Sequence, residues 1–396
     1  MKAHRGIILS AAAIIGMMVG ALYIWSIFKE PLMEYHNWDS NQVTLAYSLF
    51  TTVALVGTFS GGALQRRFKP SVLIFVAGTM QALGFLLTGF VSNLTELYIF
   101  FSLVGGLGHG LIYNTAVTTA TKWFPDKRGF ANGICIGAMG LAPLIFAPLA
   151  NYFIVHFGVT SSFKFTGLIM LAVFAVLSWF IKAPDEAESS VQAANSSVML
   201  STDLPPAKML RTGTFWTIWI SAMCAICSGV MMTGQAASIA ANIAQVSSAQ
   251  ASFLICVLSI ASFTGRFVLG SLSDKYGRLR IVLILLAVNA VVMLAVFPHI
   301  RSFSSFIPAI FMVGINFGGI MSILPSLCAD LYGTQHFSLN YPFFYSAYTA
   351  ASFASPMLAS AIFQKTSSYA GAFVFAGVAS IIGCIFTIIS MRLSKK

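Results

Sequence analysis

Charged side chains are scarce in this sequence. Asp, Glu, Lys and Arg make up 8% of its 396 residues, whereas a soluble domain carries about 25%, and the mean hydropathy is +0.85. Apolar runs of roughly 20 residues, the length of a membrane-spanning helix, fill nearly the whole chain. The composition excludes a soluble globular domain and predicts an all-α polytopic membrane protein. The short alternating segments of a transmembrane β-barrel are absent.

Acidic residues are the rarer charge, with 11 Asp and Glu against 22 Lys and Arg. None of the acids lies deep inside an apolar run, which argues against a drug or cation exporter, because such a carrier needs an acid within the membrane. The net charge of +11 comes from basic residues spread between the spans. That spread fits a membrane surface and predicts no nucleic-acid partner.

Catalytic and cofactor motifs are missing as well. The sequence has no Gly-x-x-x-x-Gly-Lys-[Ser/Thr] loop for ATP and no credible nucleophile–base–acid set, so we do not expect an enzyme. Six cysteines are present. Cys224 and Cys227 have redox or zinc spacing, but neither a second pair nor a histidine cluster accompanies them. We therefore predict small helix residues here, and no metal or cofactor.

The apolar runs divide into twelve predicted spans, six on each side of a polar stretch. They lie at about 7–28, 41–63, 71–92, 96–120, 130–154, 163–182, 213–237, 248–272, 280–298, 303–330, 341–363 and 370–391. This pattern predicts an N-terminal six-helix bundle at 1–182, a cytoplasmic linker at 183–212 and a C-terminal six-helix bundle at 213–396. We expect a monomer embedded in the lipid bilayer.

The distribution of basic residues predicts the orientation. Seventeen of the 22 Lys and Arg lie in one alternating set of inter-span segments and four lie in the other. Because cytoplasmic loops are enriched in Lys and Arg, we expect both termini and the linker in the cytoplasm, and a bacterial inner membrane as the location. A weak internal repeat at an offset of 208 residues aligns Asn132 with Asn340 and Pro148 with Pro356, as two pseudo-symmetric halves would.

Arg266 is the one charged side chain deep within a predicted span. A guanidinium stays protonated when buried, and its fork matches a carboxylate. Leaving it unpaired in a low dielectric costs several kcal/mol, so a mobile anion is the expected partner. The alternative is a structural arginine bonded to backbone carbonyls or reaching towards the membrane surface. One fixed positive charge favours a monocarboxylate over a dianion.

Tyrosines in the eleventh span could complete a binding site. Tyr341, Tyr345 and Tyr348 share one helical face with Ser352, and their phenols could donate hydrogen bonds to an anion. Interfacial or packing tyrosines are the alternative, chiefly for Tyr341. We expect Tyr345 and Tyr348 to contact substrate.

Four further polar side chains within the spans could contribute to transport. Tyr23, Tyr113 and Asn316 are candidate substrate contacts, although each could instead bond a neighbouring helix. His109 is the only histidine well inside a span, which makes it a candidate proton carrier. A neutral histidine bonded within the bundle is the alternative.

A charged loop follows the eighth span. Gly270, Asp274, Lys275, Gly277 and Arg278 form a predicted gating loop, in which Gly277 allows a tight turn and the charges can pair with helix ends. This loop resembles the G-x-L-x-D-x-x-G-R loop of the major facilitator superfamily.

Further stretches resemble the oxalate/formate antiporter family of that superfamily. They are Leu22-Tyr-Ile-Trp-Ser-Ile-Phe28, Lys122-Trp-Phe-Pro-Asp-Lys-Arg-Gly129, Asn316-Phe-Gly-Gly319 with Pro325, and Asn340-Tyr341 with Tyr345-Ser-Ala347. The resemblance implies exchange of small carboxylates, with Arg266 matching an arginine that holds a substrate carboxylate. The family's oxalate carrier has a lysine where this chain has Tyr348, which puts oxalate in doubt.

The expected function is secondary transport of a small carboxylate by alternating access. Formate, pyruvate and lactate are favoured, and exchange of anions is the expected mode. Proton-coupled symport of a monocarboxylate and oxalate:formate antiport are the nearest alternatives. A drug exporter and a non-transporting sensor on the same fold are more distant ones.

Overall fold

The computed structural model describes residues 2–182, 203–244 and 248–394, and these residues form helices joined by short turns, with no strand among them. Most of the predicted linker, residues 183–202, lies outside the described residues. The N-terminal stretch contains α1 (Lys2–Val19), α2 (Trp25–His36), α3 (Ser40–Leu64), α4 (Pro70–Thr88), α5 (Leu94–Leu97), α6 (Gly106–Trp123) and α7 (Arg128–Leu177). The remainder contains α8 (Pro206–Met209), α9 (Gly213–Ala244), α10 (Ser248–Tyr276), α11 (Arg278–Val291), α12 (Phe303–Tyr332), α13 (Phe337–Thr366) and α14 (Ala370–Leu393).

Short segments of tighter or wider helix join several of these elements. Turns of 3₁₀-helix occur at Gly20–Ile24, Ser178–Phe180 and Phe297–His299, and π-helix occurs at Tyr98–Gly105 and Val292–Val296. The π segment at Tyr98–Gly105 joins α5 to α6 within one apolar helix of 30 residues, Leu94–Trp123.

The helices confirm the predicted twelve spans. Ten helical stretches within the described residues are long and apolar enough to cross a bilayer. One of them, Arg128–Phe180, contains two spans, because Gly158 adopts φ 81° and breaks the helix near its middle. α13 is also long enough, at 30 residues, but its polar residues lower its hydropathy below that of the other spans. Together these helices make a twelve-span α-helical membrane protein.

The first span extends further than the sequence analysis predicted. The helical path continues from α1 through Gly20–Ile24 into α2 and ends at His36, eight residues beyond the expected boundary at 28. Phe28 and Leu32 are fully buried one turn apart, so tertiary packing stabilises a helix that composition alone does not favour. Gly20 lies so close to the backbone of Met139 on α7 that an added Cβ would come within 3.0 Å of it.

The chain forms two compact units. The first contains Met1–Asp126, Ala138–Met199 and Thr334–Pro342, and the second contains Lys127–Gly137, Leu200–Gly333 and Phe343–Lys396. Large buried side chains fill both. Phe50, Phe85, Phe101, Phe163 and Phe174 are among those in the first unit, and Phe215, Phe297, Phe306 and Arg266 are among those in the second.

Helix packing repeats between the units at an offset of 208 residues. In the first unit Gly57 and Gly110 bring α3 and α6 together, facing the backbones of Leu107 and Ala54. In the second unit Gly265 and Gly318 bring α10 and α12 together, facing the backbones of Ile315 and Ser262. Gly57 and Gly110 lie 208 positions before Gly265 and Gly318. The facing residues Leu107 and Ala54 lie 208 positions before Ile315 and Ser262. Small residues permit such close approach, and Arg266 stands directly after one of them.

Candidate functional site

The backbone of Arg266 is held tightly by neighbouring helices. Gly265 presses α10 against the backbone of Ile315 on α12, and Gly133 on α7 lies against the Arg266 carbonyl. A Cβ on either glycine would approach those backbone atoms to less than 3.0 Å. Only glycine therefore allows this packing, which fixes where the Arg266 side chain begins.

The guanidinium of Arg266 is buried without full hydrogen bonding. The residue is 1% exposed, and neither Nε nor Nη1 has a hydrogen-bond partner among the described residues. No ion pair within the described part of the chain involves Arg266. Two N–H-bearing nitrogens of a permanently charged group thus keep their capacity to bind an acceptor.

Three aromatic rings form a platform beside the guanidinium. The Cζ atom of Arg266 lies 5.6 Å from the centre of the Phe317 ring. Phe317 stacks on Tyr348 at 6.5 Å between centroids, and Tyr348 lies 5.2 Å from Tyr345. We call Phe317, Tyr345 and Tyr348 the aromatic platform. Ring faces attract cations, so the Phe317 ring supports the charge without occupying the N–H groups.

Phe317 is a candidate site residue that the sequence analysis did not single out. The chain has 35 phenylalanines, and nothing in the composition distinguishes this one. Its position is set by Gly229 on α9, whose added Cβ would lie 2.5 Å from the Phe317 Cβ. The one available signal was its neighbour, Asn316, within the Asn-Phe-Gly-Gly motif.

Other polar atoms in the second unit also lack partners. Among the described residues, the Oδ1 atom of Asn316 and the hydroxyls of Ser262 and Ser352 are buried without a hydrogen bond. Ser262 lies one turn before Arg266, on the same face of α10, and the sequence analysis missed it. Asn316 donates through Nδ2 to the Ala225 carbonyl at 3.0 Å, so its amide group also ties α12 to α9.

The remaining predicted contacts lie in the first unit. His109 is 3% exposed, its ring packs edge-on to Phe50 at 5.3 Å, and it hydrogen-bonds the Val19 backbone. Its Nδ1 atom has no hydrogen-bond partner among the described residues. Tyr23 is half-buried in the 3₁₀ turn. His109 therefore packs within that unit.

Tyr113 and Tyr341 form a pair within the first unit. Their hydroxyls lie 2.8 Å apart, and both side chains are buried. Next to them, Asn114 donates to the carbonyls of Thr58 at 2.7 Å and Ser338 at 3.1 Å. The tyrosine stripe of α13 is thus divided: Tyr341 meets Tyr113, while Tyr345 and Tyr348 belong to the aromatic platform.

The predicted gating loop takes part in a network of charges in the second unit. Asp274 accepts hydrogen bonds from the backbone N–H groups of Gly129 at 2.9 Å and Phe130 at 3.1 Å, at the start of α7. A carboxylate at a helix N-terminus satisfies free N–H groups and opposes the helix dipole. Asp274 also pairs with Arg278. We call the four charged residues Asp274, Arg278, Arg128 and Asp330 the charge network.

Asp330 joins the charge network at the end of α12. It accepts from Arg128 at 2.6 Å and from Arg278 at 2.9 Å. Arg278 also donates to the Ser273 hydroxyl at 2.8 Å. Nothing in the sequence connects Arg128 or Asp330 with the loop, because their positions in the chain do not reveal that the ends of α7, α10 and α12 meet.

The remaining residues of the predicted gating loop do not belong to the charge network. Lys275 stands outside the charge network, with its ammonium 5.5 Å from the Tyr276 ring. Gly277 adopts φ 95°, a conformation that side chains disfavour, as the predicted turn requires. Gly270 and Gly129 face each other so closely that a Cβ on either would lie within 3.0 Å of the other's carbonyl oxygen.

The part of the chain that the structure describes contains no candidate metal-binding site. No group of three or more His, Cys, Asp or Glu side chains there could hold a metal ion. Cys224 and Cys227 are both free and buried. The site therefore consists of a cation, aromatic rings and hydroxyls, which together can bind an anion.

Comparison with known proteins finds a matching family model and similar transport proteins. A family model described as Major Facilitator Superfamily matches residues 8–235 and 218–396. An oxalate:formate antiporter from Oxalobacter formigenes is 28% identical over 360 residues, which cover 89% of this chain and 83% of that protein. Monocarboxylate transporter 13 from Bos taurus is 23% identical, covering 94% and 85% of the two chains.

Solved structures show the same fold at low sequence identity. The fucose:proton symporter of Escherichia coli superposes with a TM-score of 0.73 at 13% identity, covering 96% of this chain and 98% of that one. A proton:xylose symporter gives a TM-score of 0.71 at 14% identity.

Proposed function

Because the chain belongs to the major facilitator superfamily, we propose that it is a secondary transporter of a small carboxylate. The observation that carries this proposal is the buried guanidinium of Arg266, which has two nitrogens without a hydrogen-bond partner among the described residues. An unpaired buried charge is unfavourable by several kcal/mol, so binding of an anion would relieve an existing penalty. The names of the two carboxylate-carrying relatives support the same substrate class.

A monocarboxylate is the favoured substrate. One bidentate pair with Arg266 would neutralise it, and hydroxyl donors on Tyr345, Tyr348 and Ser262 could complete its hydrogen bonding. A dicarboxylate such as oxalate would keep one carboxylate without a fixed counter-charge, because Tyr348 stands where the oxalate carrier's lysine is expected. Formate, pyruvate and lactate are therefore the leading candidates.

The proposed mechanism is alternating access with exchange of anions. The halves 1–182 and 213–396 would expose a central site to each side of the cytoplasmic membrane in turn. With Arg266 unpaired, a dehydrated intermediate is unfavourable, whereas the anion-loaded carrier is locally neutral. Exchange should thus be faster than net flux. The charge network would stabilise one state and break in the other.

A ligand screen tests the substrate class. Purified protein is heated with formate, acetate, pyruvate, lactate or oxalate, because a ligand that binds the folded state raises the midpoint of unfolding. We expect a saturable increase with at least one monocarboxylate and a smaller one with oxalate. The absence of stabilisation by any of the five, at millimolar concentrations, would count against the proposal.

Proton-coupled symport is the second candidate, and His109 is the observation that favours it. The ring is buried and its Nδ1 atom has no partner among the described residues, so it retains a position for a proton. Counterflow in proteoliposomes separates the two modes. Strictly proton-driven uptake without acceleration by internal substrate would favour symport over exchange.

A further inference from the structure

A cavity of about 380 Å³ opens at one end of the first unit. It lies between the end of α2, the turn that follows α4, and the part of α7 beyond Gly158. The other end of α4 begins at Pro70, directly after the basic segment Arg66–Lys69. The cavity is thus at the opposite end of the helix from that basic turn, and its lining includes neither Arg266 nor any residue of the aromatic platform.

Lys164 supplies a positive charge to this cavity. Its Nζ atom lies 4.0 Å from the centre of the Phe90 ring, and no ion pair among the described residues includes it. The carboxylate of Glu96 is already hydrogen-bonded, accepting from the backbone of the lining residue Ser92 at 2.7 Å and from the Asn93 side chain at 2.9 Å. The ammonium therefore has no acidic partner within the described part of the chain.

His36 adds a polar atom to the lining. Its ring stacks on Trp38 with 4.1 Å between centroids, and its buried Nε2 atom has no hydrogen-bond partner among the described residues. A neutral imidazole can donate one hydrogen bond and accept another.

The rim of the cavity has the character of a membrane interface. Phe90 and Tyr35 line it and are 62% and 64% exposed. Aromatic and lysine side chains at the ends of spans anchor proteins at the level of the lipid headgroups. Gly89 completes the wall: an added Cβ would lie 2.5 Å from the Lys164 Cγ atom and from the Thr160 carbonyl oxygen.

We propose that this cavity binds the phosphate group of a phospholipid, with Lys164 as its counter-charge and His36 as a hydrogen-bonding partner. The size of the cavity favours a lipid headgroup over a transported anion, since pockets of roughly 300–1,000 Å³ hold molecules far larger than a small carboxylate. The exposed rings at the rim would lie against the acyl chains. The proposal is independent of the substrate carried at Arg266.

The test is lipid-dependent stabilisation of the full-length protein in detergent. Phosphatidylglycerol is added and the midpoint of thermal unfolding is measured for the wild type, Lys164→Gln, Lys164→Arg and the control Lys365→Gln. Lys365 is an exposed lysine in the last turn of α13. We expect equal stabilisation of the wild type, Lys164→Arg and Lys365→Gln, with at least half of the increase lost in Lys164→Gln. Full stabilisation of Lys164→Gln would overturn the proposal.

A second arm distinguishes lipid from soluble anions. The same variants are heated without lipid in sodium formate or inorganic phosphate. We expect no stabilisation that depends on Lys164 under either condition. If formate or phosphate alone stabilises the wild type and not Lys164→Gln, the cavity binds a soluble anion and the lipid assignment is wrong.

Discussion

The guanidinium of Arg266 lies beside the ring of Phe317, with 5.6 Å between Cζ and the ring centre. The ring's negative face stabilises the cation but accepts no conventional hydrogen bond. Phe317 can therefore support the charge while Nε and Nη1 retain their capacity to bind an acceptor. A side-chain acid in the same place would neutralise the arginine and compete with an anionic substrate.

Replacement of Phe317 by leucine should weaken carboxylate binding while keeping most of the packing volume. The ring holds the guanidinium in position, and a desolvated cation–π contact contributes about 1–2 kcal/mol. A guanidinium released from this contact should be poorly placed for the carboxylate, so we expect the dissociation constant to rise roughly tenfold. Isothermal titration measures the change. Phe306→Leu, a buried aromatic substitution on the same helix, is the control and should leave affinity unchanged. Equal affinity in Phe317→Leu and the wild type would remove Phe317 from the site.

Replacement of Tyr348 by lysine should shift preference towards dicarboxylates. Tyr348 lies in the aromatic platform, 6.5 Å from Phe317 between ring centroids, so an ammonium there would provide a second positive charge near Arg266. A hydrogen bond to a charged group contributes about 1.5–3 kcal/mol. We expect the affinity for oxalate relative to formate to increase by roughly tenfold or more. Tyr348→Phe is the neutral control, and an unchanged ratio in Tyr348→Lys would show that position 348 does not face the substrate.

Replacement of Gly129 by alanine should separate the start of α7 from the end of α10. The added Cβ would lie within 3.0 Å of the Gly270 carbonyl oxygen, and Asp274 would lose its hydrogen bonds to Gly129 and Phe130. We expect faster hydrogen exchange across residues 127–137. Gly6→Ala is the control, because its Cβ would meet nothing within 4 Å. Identical exchange in both variants would contradict a gate at these glycines.

Replacement of His109 by glutamine should leave anion exchange intact. The side chain is held by Phe50 and by the Val19 backbone, so the expected effect is a lower midpoint of unfolding, with counterflow and its pH profile unchanged. His299→Gln, at an exposed position, is the control for the loss of a histidine. Loss of proton-driven uptake in His109→Gln alone would favour the symport mechanism.

Much of the fold was predictable because the bilayer limits the choice of structure. Apolar runs separated by basic turns gave the twelve spans, and Gly158 falls between the predicted fifth and sixth. The continuation of the first span to His36 was not predictable, since it depends on the burial of Phe28 and Leu32 by other parts of the fold. The π-helical segments likewise depend on packing.

The site was predictable only in part. Arg266 could be found because a charge within an apolar run is rare, and Asp274 could be found from its loop. Phe317 had only its place in the Asn-Phe-Gly-Gly motif to mark it, and Ser262 could not be distinguished from many similar serines. The connection of Asp330 to Arg128 and Arg278 depends on three helix ends meeting, which spacing along the chain does not encode.

The most direct measurement compares counterflow by Arg266→Gln and the wild type in proteoliposomes, using the carboxylate that stabilises the wild type most. Two lost hydrogen bonds to a charged group, each of about 1.5–3 kcal/mol, predict a decrease of at least a hundredfold. The midpoint of unfolding without ligand should not fall, because the substitution removes an unpaired buried charge. Arg301→Gln, which loses only bonds to the carbonyls of Pro298 and Ile300, should exchange normally. Saturable carboxylate exchange at the wild-type rate by Arg266→Gln would contradict the account.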